Sequence, residues 1–288
     1  MSGLFELVER PDLNAPVMVL ALDGWIDAGM GAGGARAALL DQLDTITIAT
    51  FDCDVLLDHR ARRPTMHLDS GVMTGLSWPT IELRAASDRD GNDLLILAGA
   101  EPDHLWRAFS RAAVDLALEL EARIVIGLGA YPAPVPHTRS SRLAVSASDP
   151  ALAAIAPVHT TVDVPAGVQA AIEHRAHEVG IPAVGVWAQV PHYVAAMPYP
   201  AASAALIDAL GTVGSLRLDS LALLEEAAST RRRLDALVAD NQEHTAMVQQ
   251  LEESYDAEEQ PPGDFGNDPL PSADDLAAEV ERYLRDQG

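Results

Sequence analysis

The sequence predicts an α/β protein: a largely parallel sheet with helices on both faces, followed by a C-terminal helical segment. Three observations predict it. Short runs rich in Val, Ile and Leu recur at 17–22, 45–51, 94–99, 123–128 and 183–189, as strands buried on both faces do. The segments 29–43, 102–121 and 165–180 between them have helical character, and that alternation defines the class. After residue 215 no strand signal remains, and Leu223, Ala227, Leu234, Leu237, Val248 and Leu251 recur at helical spacing.

Taken in order, the first strand ends at "LDGWID", and a Gly/Ala-rich helix follows. Residues 79–86 and 94–99 flank "SDRDGN", whose Asp90-Gly91 is a turn signal, so a hairpin is expected inside the sheet. Pro102 fits the first turn of the helix ending near Glu121. Loops at 129–140 and 190–200 follow strand ends, the usual place for a site in this class. Residues 1–215 then form the α/β domain and 216–255 a helical segment: a hairpin if Asp240 and Glu243 form a capping box that restarts the helix, or else one long helix with Asn241 and His244 on its seam. The acidic, Pro- and Gly-rich stretch 256–271 has the composition of a linker. Ser272 caps a short terminal helix within 272–288.

Composition excludes several functions. The 288 residues carry a net charge of −24, which argues against nucleic acid and anionic membranes as partners. All 19 basic residues are arginine, so no P-loop or Schiff-base lysine exists. Residues 240–288 hold 14 acids against 2 arginines, half of the net charge. No run suits a membrane span, and the N-terminal stretch lacks the plan of a signal peptide, so a cytoplasmic location is expected. The single cysteine, Cys53, rules out a disulfide framework and a Cys-cluster metal site. It suits a small apolar position better than a nucleophile. The four tryptophans, Trp25, Trp78, Trp106 and Trp187, are scattered as core residues would be.

Gly29, Gly31 and Gly34 match the glycine pattern of a dinucleotide site, and Asp52 stands where a ribose-binding acid would. Six residues separate the strand from Gly29, however, and Asp23 and Asp27 among them would repel a pyrophosphate. Close packing of the helix on the sheet explains the glycines better, and no cofactor is expected. "HEVGI" at 177–181 fails the zinc-protease pattern at its last position, there is no G-x-S-x-G elbow, and His174 and His177 fit a solvated helix face. No metal site is expected.

Read whole, "LDGWIDAGMGAGGARAALL" resembles the opening signature of the proteasome assembly chaperone 2 family in its bacterial, actinobacterial-type branch. "GLGAYPAPVPHTR" at 127–139, "GVWAQVPHYV" at 185–194 and "LPSADDLAAEVERYLR" at 270–285 agree. The resemblance implies a fold like that of nucleoside phosphorylases and related hydrolases, with an appended helical segment. It also implies bacterial members without an established activity and eukaryotic relatives that assemble proteasome α-rings. The C-terminal hydrophobic-Tyr-any docking tail of such chaperones is not matched, because Tyr283 follows Arg282.

The candidate cleft gathers Asp23, Asp27, His137, Thr138, Arg139, His192 and Tyr193. Pro132, Pro134 and Pro136 would hold the loop before His137 extended, presenting an imidazole, a hydroxyl and an anion-binding fork together. "PHY" at 191–193 repeats the Pro-His pair after another strand, so His137, Arg139 and His192 are expected to converge near Asp23. The competing role is structural, with His137 and Arg139 locking the loop. Two functions follow. One is a non-enzymatic assembly or interaction protein, self-associating as a homo-oligomer (a trimer among its forms) and binding proteasome subunits or another protein. The other is a hydrolase or phosphorylase on a small anionic substrate. The missing catalytic signature favours the first.

Overall fold

The computed structural model describes residues 3–156, 158 and 161–259. In chain order it runs β1 (Phe5–Leu7), β2 (Val17–Asp23), α1 (Gly31–Gln42), β3 (Ile46–Phe51), the single turn α2 (Cys53–Leu56), β4 (Thr65–Asp69) and β5 (Val72–Ser77). Next come β6 (Ile81–Ser87), β7 (Asp93–Ala100), α3 (Trp106–Glu119), β8 (Ile124–Ala133), β9 (Leu143–Ala147) and α4 (Pro150–Ala153). The chain continues through α5 (Val168–Glu178), β10 (Ala183–Pro191), α6 (Pro200–Gly214), α7 (Leu221–Ala239) and α8 (Gln242–Glu259).

One eight-stranded sheet has the order β1-β3-β6-β7-β2-β8-β10-β9. Its middle, β7-β2-β8-β10, is parallel, and the flanking strands pair antiparallel. The sheet is thus mixed but mostly parallel, with helices on both faces. Side-chain alternation along β2 makes the two layers: Val17, Val19 and Ala21 meet α1 and α6, whereas Met18 and Leu20 meet the α3 and α5 side. Such strands face apolar helices on both sides, which is why they appear as unbroken apolar runs.

The expected hairpin is β6–β7. Asp88 ties its turn, accepting from the N–H groups of Asp90 and Asn92 and from the Asn92 amide. The N–H of Arg217 donates to the same carboxylate. Burial alone would raise its pKa, but these donors outweigh it and hold Asp88 low. Other expectations need correction. Pro102 does not open α3, which begins at Trp106 after a left-handed Leu105, because Asp103 and His104 are first tied by their N–H groups to the Leu56 carbonyl. The loop expected at 129–140 starts later, since β8 continues through Pro132 to Ala133 in register with β10. Asn241, not Asp240, caps α8 by accepting from the N–H groups of Glu243 and His244. α8 also extends four residues beyond 255, so the expected linker 256–271 begins inside a helix. The terminal helix expected within 272–288 lies outside the described residues. Trp25 and Trp78 are not core residues; both are more than half exposed. Cys53 is half-buried, and burial pushes its thiol up. Among the described residues no helix is long and apolar enough to cross a membrane.

Candidate functional site

β8 and β10 pair in parallel from Val125 and Ala183 to Ala133 and Pro191. The segments leaving their carboxyl ends are therefore neighbours, and His137 meets Tyr193 there. The His137 N–H donates to Tyr193 Oη at 2.8 Å, and Nδ1 lies 2.6 Å from the same oxygen. Nε2 lies 3.2 Å from Asp235 Oδ1 on α7. These contacts are all satisfied by one tautomer: Tyr193 donates its proton to Nδ1, and Nε2–H donates to Asp235. Burial lowers the His137 pKa despite Asp235, and burial pushes Tyr193 up to about 12. His192, exposed, sets its ring edge-on to Tyr193 at 5.4 Å.

Thr138 and Arg139 turn away from this pair toward α8. Arg139 grips Asp256 through Nε at 2.8 Å and Nη2 at 2.7 Å, and reaches Glu252 through Nη1 at 3.2 Å. Thr138 Oγ1 donates to Glu252. The fork on Asp256 raises the Arg139 pKa and depresses that of Asp256. Three residues on, Arg142 bonds Glu258 at 2.6 Å and lies 3.5 Å above the Tyr255 ring. Tyr255 itself is buried against Ala133 and Val135, and its hydroxyl donates to the Ser140 carbonyl. The loop after β8 is thus clasped by the helical hairpin.

Asp23 and Asp27 belong to a different part of the edge. Asp23 pairs with Arg36 at 2.5 Å. Asp27 caps α1, accepting from the Ala32 N–H at 2.8 Å and the Gly33 N–H at 2.9 Å. Those donors are the ones a nucleotide phosphate would use, so a carboxylate of the chain fills the place. Asp52, the expected ribose acid, instead caps α2. The glycines serve packing. Gly29 takes a left-handed turn at φ +62°, a Cβ on Gly31 would stand 2.7 Å from that of Ala130, and one on Gly34 would strike Ser203. Glu101 caps α5 in the same way, accepting from the Val168 N–H at 2.7 Å. Replacing Asp27 by Ala is expected to cost about 1 kcal/mol in urea unfolding, the usual value of a lost cap, with Asp27→Asn recovering only part of it, because Asn keeps one acceptor where Asp27 uses two.

Of the predicted cleft residues, His137, His192 and Tyr193 come together, Thr138 and Arg139 are drawn to α8, and Asp23 and Asp27 stand at α1. A cleft of about 390 Å³ above α1 is lined by Asp23, Asp27, Arg36, Tyr199 and Glu226. Its three carboxylates around one paired arginine do not suit an anion. No group of three potential metal ligands occurs among the described residues. Asp235, Glu252, Tyr255, Asp256 and Glu258 were not foreseen as part of this region. The available signal was the spacing of 252, 255 and 256, which sets three polar or aromatic groups on one face of α8.

A mostly parallel α/β sheet whose carboxyl edge is covered by the chain's own helical hairpin defines the class of protein. The chain belongs to the PAC2 family, whose model matches residues 21–238. It is similar to a Mycobacterium tuberculosis protein of unknown function at 37% identity, covering 89% of this chain and 92% of that one, with a TM-score of 0.83. It is also similar to a proteasome-assembly chaperone homologue from the same organism at 30% identity, covering 81% and 99%, with a TM-score of 0.75. An archaeal proteasome activator from Pyrococcus furiosus shares the fold at 17% identity, covering 81% and 97%, with a TM-score of 0.63. No match is found among curated proteins.

Proposed function

We propose that this chain is a non-enzymatic, cytoplasmic protein-assembly or interaction factor, self-associating and binding other proteins, with proteasome components as the first class to test. The observation that carries this reading is that Arg139 and the N-termini of α1 and α5, the groups that could hold an anion at this end of the sheet, are used within the chain. Both ring nitrogens of His137 are engaged. Arg139 is forked onto Asp256, and the N-termini of α1 and α5 hold carboxylates of the chain. An anion site needs a free guanidinium fork, and Asp256 occupies that of Arg139. The kinship to a proteasome-assembly chaperone homologue supports a protein partner.

The test is purification of the tagged full chain from its own host after mild cross-linking, followed by mass spectrometry. Stoichiometric recovery of proteasome subunits or of another protein complex is expected. Recovery of the tagged chain with nothing else at comparable amount would sink the assembly role. Turnover of a phosphorylated or acylated small molecule by the pure protein would favour the enzymatic alternative.

A further inference from the structure

The main sheet ends at β9, whose strand partner among the described residues is β10, with a single bridge from Ala144 to Val158 on its outer side. A groove of about 800 Å³ lies at this edge. Leu143 and Val145 line it from β9, Ala209 from α6, Ile155 from the segment after α4, and Tyr255 and Glu258 from α8. Its polar groups are satisfied within the chain. The hydroxyls of Ser140 and Tyr255 meet at 3.2 Å, and Ser141 donates to the Gln189 carbonyl at 2.6 Å. Arg142 reaches Glu258 and the Tyr255 carbonyl, both at 2.6 Å. A small charged molecule would have to break these pairs. What the groove offers to an occupant is apolar: Leu143 and Val145 are half-buried, and Ile155 is exposed.

We propose that the chain's own segment 272–285 occupies this groove as an amphipathic helix. That segment lies outside the described residues, and its sequence carries the pattern the groove needs. Ala273, Leu276, Ala277, Val280, Tyr283 and Leu284 recur at i, i+3, i+4, i+7, i+10 and i+11, one apolar stripe, with Asp275, Arg282 and Asp286 opposite. A helix of this length is marginal alone in water, so it needs a surface on which to bury the stripe. The tether selects the groove. Twelve residues, 260–271, separate the end of α8 from Ser272, and fully extended they reach about 40 Å. They start one turn beyond Tyr255, which is itself in the groove's wall. A tether of this kind sets an effective concentration on the order of millimolar. At ordinary protein concentrations the tail of the same copy therefore wins over that of a second one, without any ion pair to hold it.

Hydrogen exchange of the full chain, followed by mass spectrometry, tests it. Amides of 273–284 are expected to exchange roughly tenfold or more slowly than those of an unstructured chain. Leu276→Asp with Leu284→Asp should release them and speed exchange in peptides covering 141–147. Ile155→Asp should release the same tail amides from the groove side. Ile155 is exposed, so that variant should keep the circular dichroism of the parent. Dilution should change none of this, because the contact lies within one copy. A parent whose tail exchanges at the unstructured rate would overturn the proposal. Tail protection indifferent to Ile155→Asp would overturn the groove as its seat, and protection lost on dilution would make a second copy the occupant and overturn the contact within one chain.

Discussion

Truncation of the chain after Ser215 is expected to abolish soluble, folded protein. The helical hairpin is part of the structure that stabilises the body. Leu216, Leu234, Val248 and Tyr255 are all buried and would all be lost. At roughly 1.5–3 kcal/mol for each buried large side chain, the four together amount to about 6–12 kcal/mol. A whole domain is stable by only about 5–15 kcal/mol, so this loss decides the outcome. Polar contacts are lost with it: Asp88 loses the Arg217 N–H, and His137 Nε2 loses Asp235. Ending the chain after Tyr255 should do far less, because among the described residues it takes away Asp256 and Glu258, partners of arginines that Glu252 and the Tyr255 ring still contact. Its expected effect is a small fall in melting temperature. Soluble expression and a cooperative melting curve are the measurements, and a well-folded 1–215 fragment would show that the hairpin is dispensable.

What could be seen beforehand follows the same physics. The buried strands were legible because a strand covered on both faces must be a continuous apolar run, as "VMVLAL" is. The β6–β7 hairpin was legible through Asp90-Gly91, since Gly91 takes φ +83° in the turn. β4 and β5 were not, because an exposed ribbon carries apolar residues on one face only and "TMHLD" gives a weak, short alternation. α6 was missed for the opposite reason. Its sequence, "PAASAALIDALGTVG", is small and apolar nearly all round, since it is wedged between the sheet, α1 and α7, so no amphipathic stripe marks it. At the site, His137 and Tyr193 were found because Pro-His pairs followed two strands. The partners of His137 and Arg139 on α7 and α8 lie 98 and 117 positions away in sequence, a distance that local patterns do not span. The acidity of the C-terminal part was visible, but not that Glu252, Asp256 and Glu258 would face the arginines after β8.

The clasp gives this acidity a physical role. A run of like charges alone would repel and unfold. Here three of its carboxylates are matched to Arg139 and Arg142, and Tyr255 anchors the same helix face in an apolar niche. The apolar anchor supplies affinity, and the ion pairs fix register. The family match ends at residue 238, so α8 and its acids lie beyond it, while most of the arginine-bearing loop it clasps lies within the region called "GLGAYPAPVPHTR".

Replacing Glu173 by Gln is expected to stabilise the protein at pH 8 and to change little near pH 4.5. Glu173 lies on α5, buried against β8 and β10. Gly127 and Gly185 leave room for it; a Cβ on Gly185 would lie 2.7 Å from Glu173 Oε1. Its carboxyl accepts from Gln169 Nε2 at 2.9 Å and Ser146 Oγ at 3.3 Å. Burial exceeds the help of these two donors and pushes its pKa from 4.5 up to about 7. The unfolded chain releases this proton near pH 4.5, whereas the folded chain holds it to about 7. Folding therefore loses stability as pH rises through that window, and the loss is complete above it. At about 1.4 kcal/mol per pKa unit the cost reaches about 3 kcal/mol. Gln keeps the shape and an acceptor for Ser146 without the titration, so it should recover much of that cost only where Glu173 would ionise. His137 works in the opposite sense. Its lowered pKa makes the fold lose stability as pH falls below about 6.5. That contribution cancels in the difference between variant and parent. Urea unfolding of both proteins from pH 4.5 to 8 gives the comparison, and a difference that does not grow with pH would remove Glu173 as its source.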